Sequence, residues 1–263
     1  MPRFAVVSRE RHGRKKWARF NGYAFAAANA LLPITGAELA RAALAMPLAF
    51  SEQSGRYTLM AVLSPVPGGN MFVGPDGRWL GSYVPASFRL YPFRMLPQQD
   101  TKELVLCVDE ESGLVVERSA AGEDFFDAEG NLSPALKPVF EALMVVERSR
   151  TATDLAVAAL AQAGVIRPWQ IKLKTDQGEK AVSGLHHVDE AALAALPDDV
   201  FLKLRATSAL PLAYAQALSA VQLGIFEHLA RLHNQPAAPP VAALPETLDS
   251  LLEKLGDETI RFS

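Results

Sequence analysis

The sequence of 263 residues predicts an α+β fold, with an antiparallel, hairpin-rich sheet from the N-terminal half packed against helices mainly from the C-terminal half. Short runs rich in β-branched and aromatic residues, separated by turn sequences, fill the first half. Apolar residues recur at helical spacing through most of the second half. Hydrophobic residues make up 49% of the chain and charged residues 21%, a balance typical of globular proteins.

Six segments of the first half have the composition of β-strands. The sequences GPDG at 74–77 and EESG at 110–113 favour tight turns between them. The predicted strands are 4–7, 57–63, 71–73, 78–83, 103–108 and 114–117. One helix interrupts this half, because Thr35 and Glu38 have the spacing of a capping box ahead of an alanine-rich stretch that Pro47 ends.

The second half is predicted to be mostly helical. Ser133 and Pro134 have the order of an N-cap followed by proline at the first helical position, and Asp189 is a second N-cap. The predicted helices cover about 134–146, 153–163, 190–196, a segment that starts at Pro197, and 210–233, with one strand at 169–174.

Three regions follow from this pattern. Residues 1–233 are predicted to form a single α+β domain, and 234–243, with the sequence NQPAAPPVAA, a semi-rigid linker. Residues 244–263 are predicted to form an amphipathic helix and tail, because four leucines share one side of the helix: Leu248, Leu251, Leu252 and Leu255.

An ordered series of short motifs runs through the chain, and with it the sequence resembles the SapC-like family of bacterial proteins, named for a surface-layer-associated member. The resemblance covers about residues 4–230 and implies an accessory role, with partners among halogenase-like enzymes or outer-membrane receptor systems. Its motifs are YAF at 23–25 with Asn29, Pro33 and Glu38, PLAF at 47–50, NMFV at 70–73, Trp79, Gly81, YVP at 83–85, Arg89, YPF at 91–93, CVDE at 107–110, Gly122, FD at 126–127, Gly184, VDE at 188–190, ALPLAY at 209–214 and Ser219.

Charge, cysteine content and hydropathy exclude several classes of protein. A formal net charge of -3 argues against a protein that binds nucleic acid over a broad basic face. The single cysteine, Cys107, rules out an internal disulfide and a cysteine-based metal cluster, and its apolar neighbours predict a buried thiol. The sequence shows neither a signal peptide nor an apolar run of about 18 residues, which predicts a cytoplasmic protein.

The sequence GRWLGSYVPASFRLYPF at 77–93 is the strongest candidate for a binding site. Its aromatic rings and arginines could grip an extended peptide or a planar ligand, or could instead line the core. If Arg89 is buried, Asp109 or Glu110 is expected to accept its hydrogen bonds. The candidate binding residues are Trp79, Tyr83, Arg89, Tyr91, Phe93 and Arg94.

Three other groups of polar residues are weaker candidates for a functional site. A basic patch formed by Arg14, Lys15, Lys16 and Arg19 could meet an acidic protein partner or remain a solvated face. The acidic clusters at 109–111 and 124–129 are predicted to be solvated turns. His186 and His187 would point to opposite sides of an extended segment, so no metal site is predicted.

These observations favour a non-enzymatic accessory protein that recognises a protein or peptide partner through the aromatic and arginine surface and the tethered C-terminal helix. No cofactor and no nucleic-acid partner is predicted, and the C-terminal helix also suggests a homo-oligomer. Two alternatives stay open at this point. One is an enzyme acting on a small molecule or peptide, with a pocket near Arg89, Asp109 and Tyr83, and the other is a surface-layer-associated structural protein.

Overall fold

The computed structural model describes residues 3–98, 101, 103–117, 121–175 and 178–234. The predicted linker beyond Asn234 and the predicted C-terminal helix at 244–263 lie outside these residues. The strands are β1 Phe4–Val6, β2 Lys15–Trp17, β3 Leu31–Pro33, β4 Leu48–Gln53, β5 Arg56–Val62, β6 Phe93–Pro97, β7 Leu104–Asp109, β8 Val115–Glu117, β9 Glu123–Asp124, β10 Ile166–Pro168, β11 Ile171–Thr175, β12 Gly178–Val182 and β13 Leu185–Val188.

Helices account for much of the described backbone outside the strands. The α-helices are α1 Arg9–His12, α2 Leu39–Ala45, α3 Ala86–Arg89, α4 Lys137–Gln162, α5 Glu190–Ala194, α6 Asp198–Ala206, α7 Ala209–Ser219 and α8 Ile225–Asn234. Short 3-10 helices cover Ala24–Ala26, Gly36–Glu38, Glu110–Ser112 and Ala220–Gly224. The sheets are antiparallel and helices dominate the C-terminal half, so the α+β prediction is confirmed.

The largest sheet has the strand order β10-β13-β4-β5-β3 and therefore combines strands from both halves of the chain. Its central pair is a hairpin in which Gln53 pairs with Arg56. The two loop residues, Ser54 and Gly55, have φ of 52° and 77°, the left-handed conformation that matches a two-residue hairpin turn to the twist of its strands. The other sheets have the orders β1-β7-β6, β8-β2-β9 and β11-β12.

Apolar side chains form two cores. The first core lies between the five-stranded sheet and the helices, and includes Phe50, Phe72 and Leu160. The second core lies under β6 and β7, around Trp17 and Phe125. Helix α4 contributes to both, since Leu143 belongs to the second core while Leu160 belongs to the first.

Several predicted elements differ from those observed. Residues 78–83 form no strand beyond a single bridge between Val73 and Trp79, because the Trp79 indole N–H donates to the Tyr83 carbonyl at 2.8 Å and curls the chain. The two helices predicted at 134–146 and 153–163 are one continuous helix, α4. The helix predicted at 210–233 is α7 and α8, separated by the 3-10 turns of Ala220–Gly224.

The predicted capping box at Thr35 and Glu38 is not formed. The N–H groups of Gly36 and Ala37 instead bond to hydroxyls of α4, Thr153 Oγ1 at 2.8 Å and Ser149 Oγ at 2.9 Å. Since α4 caps the Gly36–Glu38 turn, the Glu38 carboxylate is available for contacts with other segments.

Candidate functional site

Five half-buried aromatic rings form a continuous surface, which we call the aromatic ledge: Phe20, Tyr23, Phe25, Trp79 and Tyr91. Phe25 and Tyr91 are stacked, with centroids 4.0 Å apart and an interplanar angle of 11°. Tyr23 lies 5.6 Å from Trp79, and Phe20 lies 5.3 Å from Tyr23 and 5.2 Å from Phe25. The ledge therefore joins the segment at 20–25 to the aromatic stretch at 77–93.

The ledge rests on buried rings of the first core. Trp79 stacks on Phe72, with centroids 5.3 Å apart, and Phe25 meets Phe88 edge-on at 5.9 Å. A Cβ atom at Gly81 would lie 2.7 Å from the Phe72 ring and 2.9 Å from the Trp79 indole nitrogen. Glycine at position 81 therefore lets the chain pass close to these two rings.

An apolar groove of about 500 Å³ lies beside the ledge. Ala24, between two ledge residues, and Gly77, two residues before Trp79, both line it. His233, near the end of α8, closes one side, and its Nε2 lies 2.8 Å from the Met71 carbonyl oxygen. Small residues along the wall leave room for a chain segment that lies against the ledge.

Arg89 places a positive charge at the edge of the aromatic stretch. Its guanidinium lies 5.6 Å from the centre of the Tyr83 ring, and its Nε donates to the Val84 carbonyl at 3.0 Å. Arg89 is exposed. The condition for a hydrogen bond from Arg89 to Asp109 or Glu110, a buried guanidinium, is therefore not met, and both carboxylates bond to other groups.

Glu38 fixes the segment that carries Arg89. This carboxylate is 5% exposed and accepts hydrogen bonds from the Tyr83 hydroxyl at 2.9 Å and the Ala86 N–H at 2.6 Å. Burial, and then the nearby charge of Glu38, raises the pKa of Tyr83 to about 12. Tyr83 therefore stays a neutral hydrogen-bond donor at physiological pH, which holds the backbone leading to Arg89 in place.

The candidate residues from the aromatic stretch fall into two places. Trp79 and Tyr91 belong to the ledge, with Tyr83 and Arg89 at its edge. Phe93 is 4% exposed and meets Trp17 edge-on in the second core, while Arg94 is exposed and lies over the Phe4 ring at 5.0 Å. The structure thus brings the first four residues together and puts the last two on β6.

The Asp109 and Glu110 side chains are buried, in contrast to the predicted solvated turn. Asp109 is 3% exposed and accepts from the Arg3 N–H at 2.9 Å and the Tyr91 hydroxyl at 3.2 Å. The Glu110 side chain is 7% exposed and takes two hydrogen bonds from Arg11, at 2.6 Å and 2.5 Å. The N-terminal segment covers this turn, which the local sequence at 109–111 does not reveal.

Acidic residues interleave with the basic patch. In the β2 ladder Lys15 lies opposite Glu117 and Lys16 opposite Asp124. Arg19 lies 4.0 Å from Glu123 and 5.8 Å from the centre of the Trp17 ring, and Arg14 is exposed. The positive charge of this region is therefore partly compensated within its own sheet.

Histidine and cysteine side chains contact core and sheet residues. On β13, His186 packs edge-on against Tyr57 at 5.1 Å, and His187 lies 5.7 Å from Trp169. Among the described residues, no group of three metal-ligating side chains comes together. Cys107 is buried as predicted, and burial raises the pKa of its thiol.

The binding residues predicted from the sequence did not include Phe20, Tyr23, Phe25 or Glu38, although YAF at 23–25 and Glu38 are among the motifs of the family resemblance. The sequence FNGYAF places three aromatic residues within six positions, which is a usable signal for an aromatic surface. No local signal connects Glu38 with Tyr83, because 45 positions separate them.

One described segment, Ala209–Asn234, has the length and mean hydropathy, 1.4, of a membrane-spanning helix, and 33% of the most apolar window is buried in the protein. Core helices of soluble proteins meet the same criterion. Leu212, Ala213 and Phe226 of this segment are part of the first core.

Comparison with known proteins gives one match. The family model of SapC matches residues 7–224, which include the ledge, Arg89, Glu38, the second core and most of the first core. No curated protein and no solved structure matches the chain.

Proposed function

The chain belongs to the SapC family, and from that premise we propose that it is a non-enzymatic accessory protein that binds an extended segment of a protein partner on the aromatic ledge. The observation that carries this proposal is the continuity of five half-buried rings next to the exposed cation of Arg89. Rigid aromatic side chains bury a large area on binding and lose little conformational entropy.

The shape of the site supports an extended ligand. Ring centroids within the ledge are spaced 4.0 to 6.4 Å apart, so neighbouring rings touch and form one apolar surface on which the side chains of an extended or polyproline segment can pack. The adjacent groove of about 500 Å³ gives such a segment a place to continue past Ala24 and Gly77. Arg89 would pair with an acidic residue of the segment and fix its direction.

Rigidity of the ledge also favours binding. Trp79 is held by stacking on Phe72 and by its hydrogen bond to Tyr83, and Tyr91 by stacking on Phe25 and by its bond to Asp109. A preformed surface avoids part of the ordering cost that a flexible site would incur on binding. By family resemblance, halogenase-like enzymes and outer-membrane receptor systems are the first partners to test.

Selection of short random peptides on the immobilised protein tests this proposal. We expect enrichment of proline-rich or aromatic peptides that contain an acidic residue. Such peptides should lose about 2 kcal/mol of binding free energy, roughly 30-fold in affinity, on Arg89→Ala. Arg94→Ala is the matched control, because Arg94 is an exposed arginine of the same stretch that lies over Phe4, away from the ledge.

Two results would count against the ledge as the binding surface. The first is a failure of the protein to enrich any peptide over an unrelated folded domain. The second is a set of peptides whose affinity drops equally in the Arg89→Ala and Arg94→Ala proteins, because a nonspecific charge effect would then explain the binding.

A further inference from the structure

The outer face of helix α7 carries an apolar stripe that extends into the following 3-10 turn. We call the four exposed residues Pro211, Tyr214, Leu218 and Val221 the α7 stripe. Leu218 is 74% exposed and Val221 is 79% exposed. Their spacing of three or four positions puts them on one side of the helix.

The opposite face of α7 is fixed in the first core, so the stripe cannot turn inward. Gln216 is fully buried, accepts from the Val188 N–H at 2.8 Å and donates to the Leu48 carbonyl at 3.0 Å. Ser219 Oγ accepts from the Leu48 N–H at 2.9 Å. Leu44, 78% exposed, lies on α2, which packs against α7.

Single exposed apolar residues are ordinary on protein surfaces, whereas several on one helix face indicate a surface that another element covers. We propose that residues 244–255 of the same chain cover the α7 stripe as an antiparallel helix. In that segment Leu248, Leu251, Leu252 and Leu255 share one side of a helix. A helix of these twelve residues would be about 18 Å long, and the stripe from Pro211 to Val221 extends about 15 Å.

The linker is long enough for this arrangement. The chain leaves the described structure at Asn234, the end of α8, and the path from there back to Val221 is at most about 21 Å along the helical backbone. The nine residues at 235–243 extend roughly 28 Å in the polyproline conformation. The following helix can therefore start beside Val221 and run back toward Pro211.

The charges of the two surfaces are complementary. Residues 244–258 contain five acidic residues, Glu246, Asp249, Glu253, Asp257 and Glu258, and one basic residue, Lys254. Helices α2 and α6, which both pack against α7, carry the exposed guanidinium groups of Arg41 and Arg205. The exposed Asp198 and Asp199 lie at the opposite, N-terminal end of α6, so the complementary charge is on α2 and at the C-terminal end of α6. Binding within one chain is further favoured because the tether keeps the segment at a high effective concentration.

Disulfide trapping in the full-length chain tests the proposal. We expect a Leu218→Cys and Leu251→Cys double variant to form an intramolecular disulfide under mild oxidation, seen as a reduction-sensitive shift of the monomer band. The matched control is Val145→Cys with Leu251→Cys, since Val145 is also exposed, at 55%, but lies on the N-terminal half of α4. Cys107 is buried and should not exchange with the new thiols.

The docked helix should make the Leu218 pair oxidise roughly tenfold faster than the control pair, because docking holds Leu251 beside Leu218, whereas the control pair can meet only through motion of the tether. Equal rates for the two pairs would overturn the proposal. A disulfide-linked dimer as the main product would overturn it as well, since the stripe would then be covered by a second copy. The proposal does not depend on the aromatic ledge, because the two surfaces share no residue.

Discussion

At the scale of single residues, the Glu110 carboxylate links the N-terminal segment to the end of β7. It bonds to Arg3 at 3.0 Å and to Arg11 through both of its oxygens. Its Oε1 lies 3.4 Å from Nε2 of the fully buried His12. The hydrogen bond from Arg11 is the largest influence and outweighs the opposing effect of burial, so the pKa of Glu110 falls to about 2.

This pKa shift predicts a specific dependence of stability on pH. Because the folded-state pKa lies below the ordinary value of 4.5, the ionised carboxylate stabilises the fold above pH 4.5. That contribution is lost as the pH falls from 4.5 toward 2. The free energy of unfolding of the wild type should therefore exceed that of Glu110→Gln at neutral pH, and chemical denaturation should show the difference shrinking across this interval.

Arg3, Arg11 and His12 face Glu110, and their attraction to the ionised carboxylate is the contribution that Glu110→Gln removes. A stability difference that stays constant down to pH 2 would mean that the ionised carboxylate does not stabilise the fold.

Residue patterns identified half of the candidate site. Trp79, Tyr83, Arg89 and Tyr91 could be selected because aromatic residues and arginine concentrate in one stretch of sequence. Which rings are buried depends on neighbours that come from elsewhere in the chain, and therefore Phe93, in the same stretch, is 4% exposed and part of the second core.

At the scale of elements, local patterns located some of the boundaries, including those of β1, β5 and β7. Contacts between distant elements explain several of the exceptions. Asp189 caps α5 as predicted, by accepting from the Ala192 N–H at 3.0 Å. Strand β4 was missed even though Ser54-Gly55 is a hairpin signal, because the run at 48–53 combines apolar and polar residues without clear alternation. Thr35 does not cap the Gly36–Glu38 turn, because hydroxyl groups of α4 accept hydrogen bonds from the first N–H groups of that turn.

The cap supplied by α4 can be tested with Thr153→Val, which keeps the shape of the side chain and removes the acceptor. The Gly36 N–H would then lose this hydrogen bond, at a cost of about 0.5–1.5 kcal/mol in the free energy of unfolding, because Gly36 is exposed and water can replace part of the interaction. Thr151→Val on an exposed position of the same helix should change it by less than about 0.5 kcal/mol. Equal effects of the two substitutions in denaturant titrations would contradict the role of Thr153.

At the scale of the whole molecule, α4 is the element that joins the two cores. Its 26 residues place Leu143 in the second core and Val157 in the first, with the exposed Arg148 between them. The fold class could be predicted from local patterns because strand and helix composition separate by halves. The two-core arrangement could not, since the sequence suggested two helices where one continuous helix crosses between the cores.

Continuity of α4 should make the two cores unfold as one unit, and hydrogen exchange in mild denaturant measures this directly. In the wild type, the most protected amides of β7 and of β5 should give the same opening free energy. Arg148→Pro, which breaks the helix at a cost of about 3 kcal/mol, should lower the opening free energy of β7 below that of β5. Arg148→Ala keeps the helix and should leave the two values equal. A difference between the wild-type opening free energies of β7 and β5 that exceeds the change caused by Arg148→Pro would contradict this prediction. Each core would then unfold independently, although α4 contributes residues to both.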